Sequence, residues 1–264
     1  MYYIVVFILG LVVGSFVNVV AYRVPLGKSI SKGRSKCPKC NIQIAWYDLV
    51  PVLSFFLLSA RCRNCRAKIS WLYSLGEFLS GLIFLLSFYS FQSYGLVYWL
   101  FTAFILEILL TLFLTDFQYL ILPDIIILIG VIGAVVYGIF EKIGFIKNNY
   151  NILSIDNLVS AVSFSSILYL LWLGSKGKWI GLGDAKLAGL IGLLFGYIVG
   201  LSILYVAVII GGIVGLTLLI IFKANRKTKL PLGSFISLSA AGYIFTGFEI
   251  FEKLRFDVIF KILQ

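Results

Sequence analysis

Apolar runs long enough to cross a bilayer recur along most of the chain, and polar residues gather in the breaks between them. Eight runs stand out, at about 2–22, 71–90, 96–115, 124–143, 157–174, 184–199, 201–222 and 232–251. As helices, runs of about 20 residues match the roughly 30 Å hydrocarbon core of a membrane. The sixth is short for that thickness, and it is separated from the seventh only by a break near Gly196–Gly200. The first run, Tyr2 to about Tyr22, lacks a basic segment before it and is followed by Arg23. That pattern fits a retained first helix with its N-terminus outside rather than a cleaved signal peptide. One polar stretch, 23–70, is longer than all the others. The expected architecture is an all-α polytopic membrane protein of about eight transmembrane helices. It divides into a first helix at 1–22, an inserted polar domain at 23–70 and a membrane domain at 71–264.

Composition strengthens this picture. Hydrophobic residues make up 61% of the 264 residues and charged residues 12%, against about 25% charged in an ordinary soluble domain. A soluble core could not absorb that much apolar surface, so lipid is the expected solvent. The net charge of +11 would suggest nucleic acid in a soluble protein. Here the distribution of the charge gives a different answer. With the N-terminus outside, 17 of the 22 basic residues fall on the inside: ten in 23–70, and the rest in 175–183, at Lys186 and in 223–231. By the positive-inside rule, the long basic stretch is cytoplasmic, and no nucleic-acid partner is expected.

All four cysteines lie in that stretch, as Cys37-Pro-Lys-Cys40 and Cys62-Arg-Asn-Cys65. Two CxxC turns at this spacing suit tetrahedral Zn²⁺, because each turn offers two thiolates to one ion. Neighbouring Lys36, Lys39, Arg61, Arg63 and Arg66 favour the thiolate form. Disulfides and unligated thiols are the competing readings, and a reducing cytoplasm disfavours the first. Four cysteines leave no open coordination position, so the expected zinc is structural. Between the pairs, the segment from Trp46 to Ser54 is aromatic and apolar. It suits either the filling of a small metal-stapled core or a place at the bilayer interface.

The chain contains no histidine, which excludes Ser-His-Asp and Cys-His catalysis, the HExxH zinc site and the Ser-His dyad. Carboxylates are the remaining general acids and bases. Glu141, Asp156, Glu249, Glu252 and Asp257 sit in outside loops or near the outer ends of spans and read as solvated. Glu77, Glu107, Asp116, Asp124 and Asp184 lie within spans or at their edges, where ionisable residues are costly and face the protein interior. Asp116 ends the third span and Asp184 opens the sixth, both on the cytoplasmic side. Two carboxylates at one depth can form an aspartyl protease dyad. The ionised one takes a proton from water, and the protonated one polarises the scissile carbonyl. Gly181 and Gly183, just before Asp184, allow a substrate strand to approach the backbone closely. Asp124, after Pro123, reads first as a helix-start carboxylate favoured by the dipole. Glu107 lies nine residues before Asp116 and so on the opposite helix face; a polar partner in the bundle is expected for it. Glu77 has two readings, a similar pairing or support for a site near the cytoplasmic loop.

These residues resemble the family of bifunctional prepilin leader peptidases and N-methyltransferases, which are GxGD intramembrane aspartyl proteases. The similarity begins with Gly14-Ser15-Phe16-Val17-Asn18-Val19-Val20 and Arg23-Val24-Pro25. It continues through the cysteine stretch, including Ile44-Ala45-Trp46-Tyr47-Asp48 and Pro51-Val52-Leu53-Ser54. Asp116 with Leu122-Pro123-Asp124 resembles the first catalytic motif, in which the earlier aspartate is the catalytic one. The run from Gly181 to Leu187 resembles the second. Thr115 stands where an apolar residue often precedes the first aspartate, and Leu230 to Phe235 only partly matches the family's Pro-Phe-Gly-Pro segment. The resemblance implies cleavage of the short basic leader of type IV prepilins and pseudopilins at the cytoplasmic face of the bacterial inner membrane. It also implies methylation of the new N-terminus from S-adenosylmethionine, although no glycine-rich fingerprint for that cofactor is visible. The cysteine loop favours the bifunctional form over a peptidase alone. From other classes, a proton- or cation-coupled transporter would use paired aspartates but leaves the cysteines unexplained. A non-catalytic zinc-binding scaffold would leave the aspartates merely structural.

Overall fold

The computed structural model describes residues 2–30, 33–144, 151–221 and 230–247. Among them there are helices and no strands, apart from two isolated antiparallel bridges in the cysteine loop. The helices are α1 (Tyr2–Arg23), α2 (Leu53–Leu57), α3 (Trp71–Phe91), α4 (Leu96–Tyr119), α5 (Asp124–Lys142), α6 (Ile155–Ser175), α7 (Leu182–Ile220) and α8 (Leu232–Thr246). Six of them, α1 and α3 to α7, are long and apolar enough to span a membrane, while α8 is shorter. The first five expected spans correspond to α1, α3, α4, α5 and α6. The sixth and seventh expected spans fall on α7, which consists of two helical segments that meet at a break at Gly196, as expected. The eighth span begins as α8; its end, Glu249, the carboxylates beyond it and the basic residues between 223 and 229 lie outside the described residues.

The chain forms two compact units, Met1–Asn151 and Ile152–Gln264. In the first, α1, α3 and α4 pack on one another and α5 packs on α4. The contact between α1 and α3 depends on small residues. A Cβ at Gly10 or Gly14 would come within 2.7 Å of Phe84 or Ser80 Cβ. This is the close backbone approach that a small-xxx-small pattern permits where lipid supplies no hydrophobic drive to associate. Ser80 Oγ lies 2.7 Å from both Gly10 O and Glu107 Oε1, joining α1, α3 and α4 through one hydroxyl. Glu107 therefore has the polar partner expected of it. Asn18 Nδ2 donates to Tyr73 O at 2.7 Å, a second polar tie between α1 and α3.

In the second unit, α7 packs against α6 and α8. Gly196 has φ 72° and ψ −172°, a region open essentially to glycine alone. The kink separates Tyr197 N from Leu193 O, which would bond in a straight helix. Side chains from the start of α6 take up both groups. Asp156 Oδ2 accepts from Tyr197 N at 3.0 Å, and Asn157 Nδ2 donates to Leu193 O at 2.8 Å. Asp156, expected to be merely solvated, is exposed but occupied in holding the kink. A break in a helix frees backbone groups that other polar groups must take up.

Candidate active site and metal centre

The cysteine loop builds two matching turns. Cys37 N donates to Ile42 O and Asn41 N to Cys37 O; Cys62 N donates to Ala67 O and Arg66 N to Cys62 O. Asn41 and Arg66 hold equivalent left-handed positions, with φ 57° and 56°. An antiparallel bridge closes each turn, Lys36 to Gln43 and Arg61 to Lys68. The four sulfurs lie within 4.8 Å of one another, and Cys37 Sγ is 3.8 Å from Cys65 Sγ. Thiolates about 2.3 Å from a tetrahedral Zn²⁺ stand about 3.8 Å apart, so this donor set fits that ion.

The electrostatics of the thiols point the same way. The Cys40 and Lys39 N–H groups hold the Cys37 thiol below its ordinary pKa, and the Ile42 N–H does the same for Cys40. The Ala67 N–H favours the Cys65 thiolate, but desolvation and the other three thiols outweigh it and push that group up to about 11. A divalent cation relieves this reluctance of the last thiol to ionise beside the others. Asp48 closes the loop from the middle, accepting from Arg63 Nε at 2.9 Å and from Arg63 Nη2 at 2.7 Å. The Arg63 guanidinium also sits 5.4 Å from the centre of the Tyr47 ring.

Glu77 joins the loop to the membrane helices. Half-buried on α3, its Oε2 accepts from Val52 N at 2.7 Å. Val52 has φ 61°, a strained value for a β-branched residue, and Glu77 secures its N–H at that turn. Glu77 thereby ties the loop backbone to α3, and it also shares a hydrogen bond with Ser15 of α1, a polar partner within the bundle.

Among the described residues, the acidic residues buried as a whole are Glu107, Asp116 and Asp184. Asp116 lies in the final turns of α4, which ends in a left-handed cap at Leu120 whose N–H returns to Asp116 O at 2.8 Å. Asp184 stands at the third position of α7, and its Oδ2 accepts from Gly181 N at 3.0 Å. A Cβ at Gly181 would fall 3.1 Å from that oxygen, so glycine leaves room for the carboxylate to fold back over the helix start. The helix dipole favours negative charge there. Asp116 belongs to the first compact unit and Asp184 to the second. Asp124 is exposed in the first turn of α5, behind Pro123, the position of a helix-start carboxylate. Sequence reasoning missed Ser80 and Asn18. A hydroxyl or amide within an apolar run is the available signal, and it does not single out these two.

Comparison with known proteins matches residues 8–91 to the bacterial peptidase A24 N-terminal domain and residues 103–220 to the type IV leader peptidase family. A prepilin leader peptidase/N-methyltransferase of Myxococcus xanthus is 34% identical over 84% of this chain and 65% of its own length. One from Vibrio cholerae is 41% identical over 47% of this chain and 52% of its own. One from Pseudomonas aeruginosa is 30% identical over 90% of this chain and 87% of its own. The chain thus spans less than two thirds of the first two relatives. No solved structure matches.

Proposed function

This chain belongs to the type IV leader peptidase family, and from that premise we propose that it cleaves the leader of type IV prepilins or pseudopilins and methylates the new N-terminus. The observation that carries the peptidase reading is the burial of Asp116 and Asp184 at helix ends, both inside the stretch matched to the family. In this reading the two form an aspartyl dyad that shares one proton. The ionised carboxylate draws a proton from water as the water attacks the scissile carbonyl, and the protonated one donates to the carbonyl oxygen. When the intermediate collapses, a proton returns to the leaving amine. Gly181 and Gly183 admit the substrate strand, while Asp124 and Glu77 support the site from the start of α5 and from α3.

The cytoplasmic loop 23–70 lies between a first helix at 1–22 and a membrane domain at 71–264. Cys37, Cys40, Cys62 and Cys65 hold Zn²⁺, which supplies a structural staple and no chemistry. The relatives' names supply the methyltransferase activity, and S-adenosylmethionine is its donor in this reading. The gathering of basic residues in alternate loops supports an N-terminus outside the inner membrane and both aspartates on the cytoplasmic side.

The test uses Asp116→Asn and Asp184→Asn, which preserve shape and remove the ionisable group. Each is expected to abolish precursor processing while the protein remains inserted and folded. Normal processing by either variant would defeat the dyad. Mass spectrometry of the mature N-termini reads the second activity, and an unmethylated product from active enzyme removes it.

A further inference from the structure

We propose that the segment between the two cysteine pairs is a membrane-seating foot that docks on anionic lipid. Its apolar side chains are left uncovered: Trp46 is 80% exposed, Leu57 74% and Phe56 70%. They are contributed by two adjacent elements, the 3₁₀ turn Trp46–Leu49 and α2, which pack on each other. In a loop otherwise rich in charge, such a cluster requires a cover.

Three observations identify that cover as a bilayer surface. First, the loop begins where α1 ends at Arg23 and finishes where α3 starts at Trp71, so membrane helices anchor both ends. Second, Glu77 grips Val52, the residue just before α2, at 2.7 Å. Glu77 lies six residues into α3, about 9 Å along the helix axis. The foot is therefore drawn back alongside the first turns of a membrane helix rather than projecting into solvent. Third, ten basic residues in 23–70 face a single acidic one, Asp48, which is already bound to Arg63. Arg34, Lys36, Lys39, Arg61, Arg66 and Lys68 are all exposed. Aromatic side chains that settle at headgroup level, beside cations drawn to anionic headgroups, describe an interfacial element. This reading does not depend on the proposed chemistry of the aspartates.

The experiment is hydrogen exchange of the full chain in nanodiscs of phosphatidylcholine alone or with added phosphatidylglycerol. Residues 46–58 are expected to exchange about tenfold more slowly in the anionic discs, with the cysteine turns 36–43 and 61–68 alike in both. The double variant Phe56→Glu, Leu57→Glu is expected to abolish the lipid difference while leaving those turns unchanged. Should that variant fail to fold, quenching by brominated lipid gives an independent reading, since Trp46→Phe removes the quenchable contribution of the foot. Equal exchange in the two bilayers overturns the proposal, and so does an absence of Trp46-dependent quenching. Protection of 46–58 confined to a self-associated fraction also overturns it, in favour of a second copy as the cover.

Discussion

Replacing Gly196 by alanine tests the account of the α7 kink most directly. Its backbone dihedrals lie in the glycine-only region, where a side chain costs about 1–3 kcal/mol. The added Cβ would stand 2.5 Å from Asp156 Oδ2 and 2.9 Å from Asn157 Oδ1. Those side chains must then move, and they are the ones holding Tyr197 N and Leu193 O. Losing the two hydrogen bonds adds about 1 kcal/mol each. The helix can escape part of this by straightening, which restores its own hydrogen bond and gains about 1 kcal/mol of helix propensity over glycine. Straightening in turn re-aims the rest of α7 away from α8, where Phe195 meets the Tyr243 ring and Gly211 lies under Phe235.

The net expectation for Gly196→Ala is a loss of about 2–4 kcal/mol. Gly212→Ala is the control within the same helix, because a Cβ there meets nothing within 4 Å. It is expected to be neutral or slightly stabilising. Unfolding of the purified protein with increasing SDS in mixed micelles, followed by far-UV circular dichroism, compares the two. If both variants unfold at the same SDS fraction, the strain and the side-chain rescue of the kink are refuted together.

Other outcomes follow from the same contacts. Gly14→Val places a Cβ 2.7 Å from Ser80 Cβ and 2.8 Å from Glu77 Cα; the overpacking is expected to cost about 1–3 kcal/mol in the same SDS titration. Arg63 holds the Asp48 carboxyl below its ordinary pKa, so the pair stabilises the loop above the ordinary carboxylate range and loses that effect as pH falls through the lowered value. Asp48→Asn is therefore expected to unfold more easily at pH 7 but to match the parent in strong acid, read by near-UV circular dichroism of Trp46 and Tyr47. The difference should be small, because Arg63 is 59% exposed and screened by solvent. Cys40→Ser is expected to lower bound zinc measured by elemental analysis and to disorder both turns, while a chelator reproduces the effect in the parent protein. Full order in metal-free protein with four free thiols would count against the staple.

Which features were legible in the sequence follows from the range of the interactions involved. The span boundaries come from local hydropathy, and α1, α3, α4, α5 and α6 begin within two residues of their expected starts. Each cysteine turn was equally legible, since it is closed by contacts fewer than ten residues apart, and the repeated CxxC pattern marked the two as partners across 28 residues. Long-range ties were not. Asp156 lies 41 residues from Tyr197, and Ser80 lies 70 from Gly10. No period or motif marks such partners. The break near Gly196 was visible as a glycine, but what sustains it sits on another helix.

The hardest residue to judge from sequence is Glu107, because it shares α4 with Asp116. Opposite faces follow from their spacing, yet facing apart does not make one of them exposed. Helix α4 packs against α1, α3 and α5, and both carboxylates are buried. What separates them is their place along the helix and the partners that place supplies. Glu107 lies mid-helix and is engaged by Ser80, whose hydroxyl also reaches Gly10 O. Asp116 sits where the last turn gives way to the left-handed cap at Leu120. Water, the reagent a hydrolytic dyad must hold, reaches a membrane helix from its ends. The assignment of catalysis to Asp116 therefore predicts unequal consequences for the two. Glu107→Gln keeps a group able to bond Ser80 and should leave processing largely intact, whereas Asp116→Asn removes it. Equal loss of processing in both variants, each still folded, would place Glu107 in the chemistry and overturn the division between them.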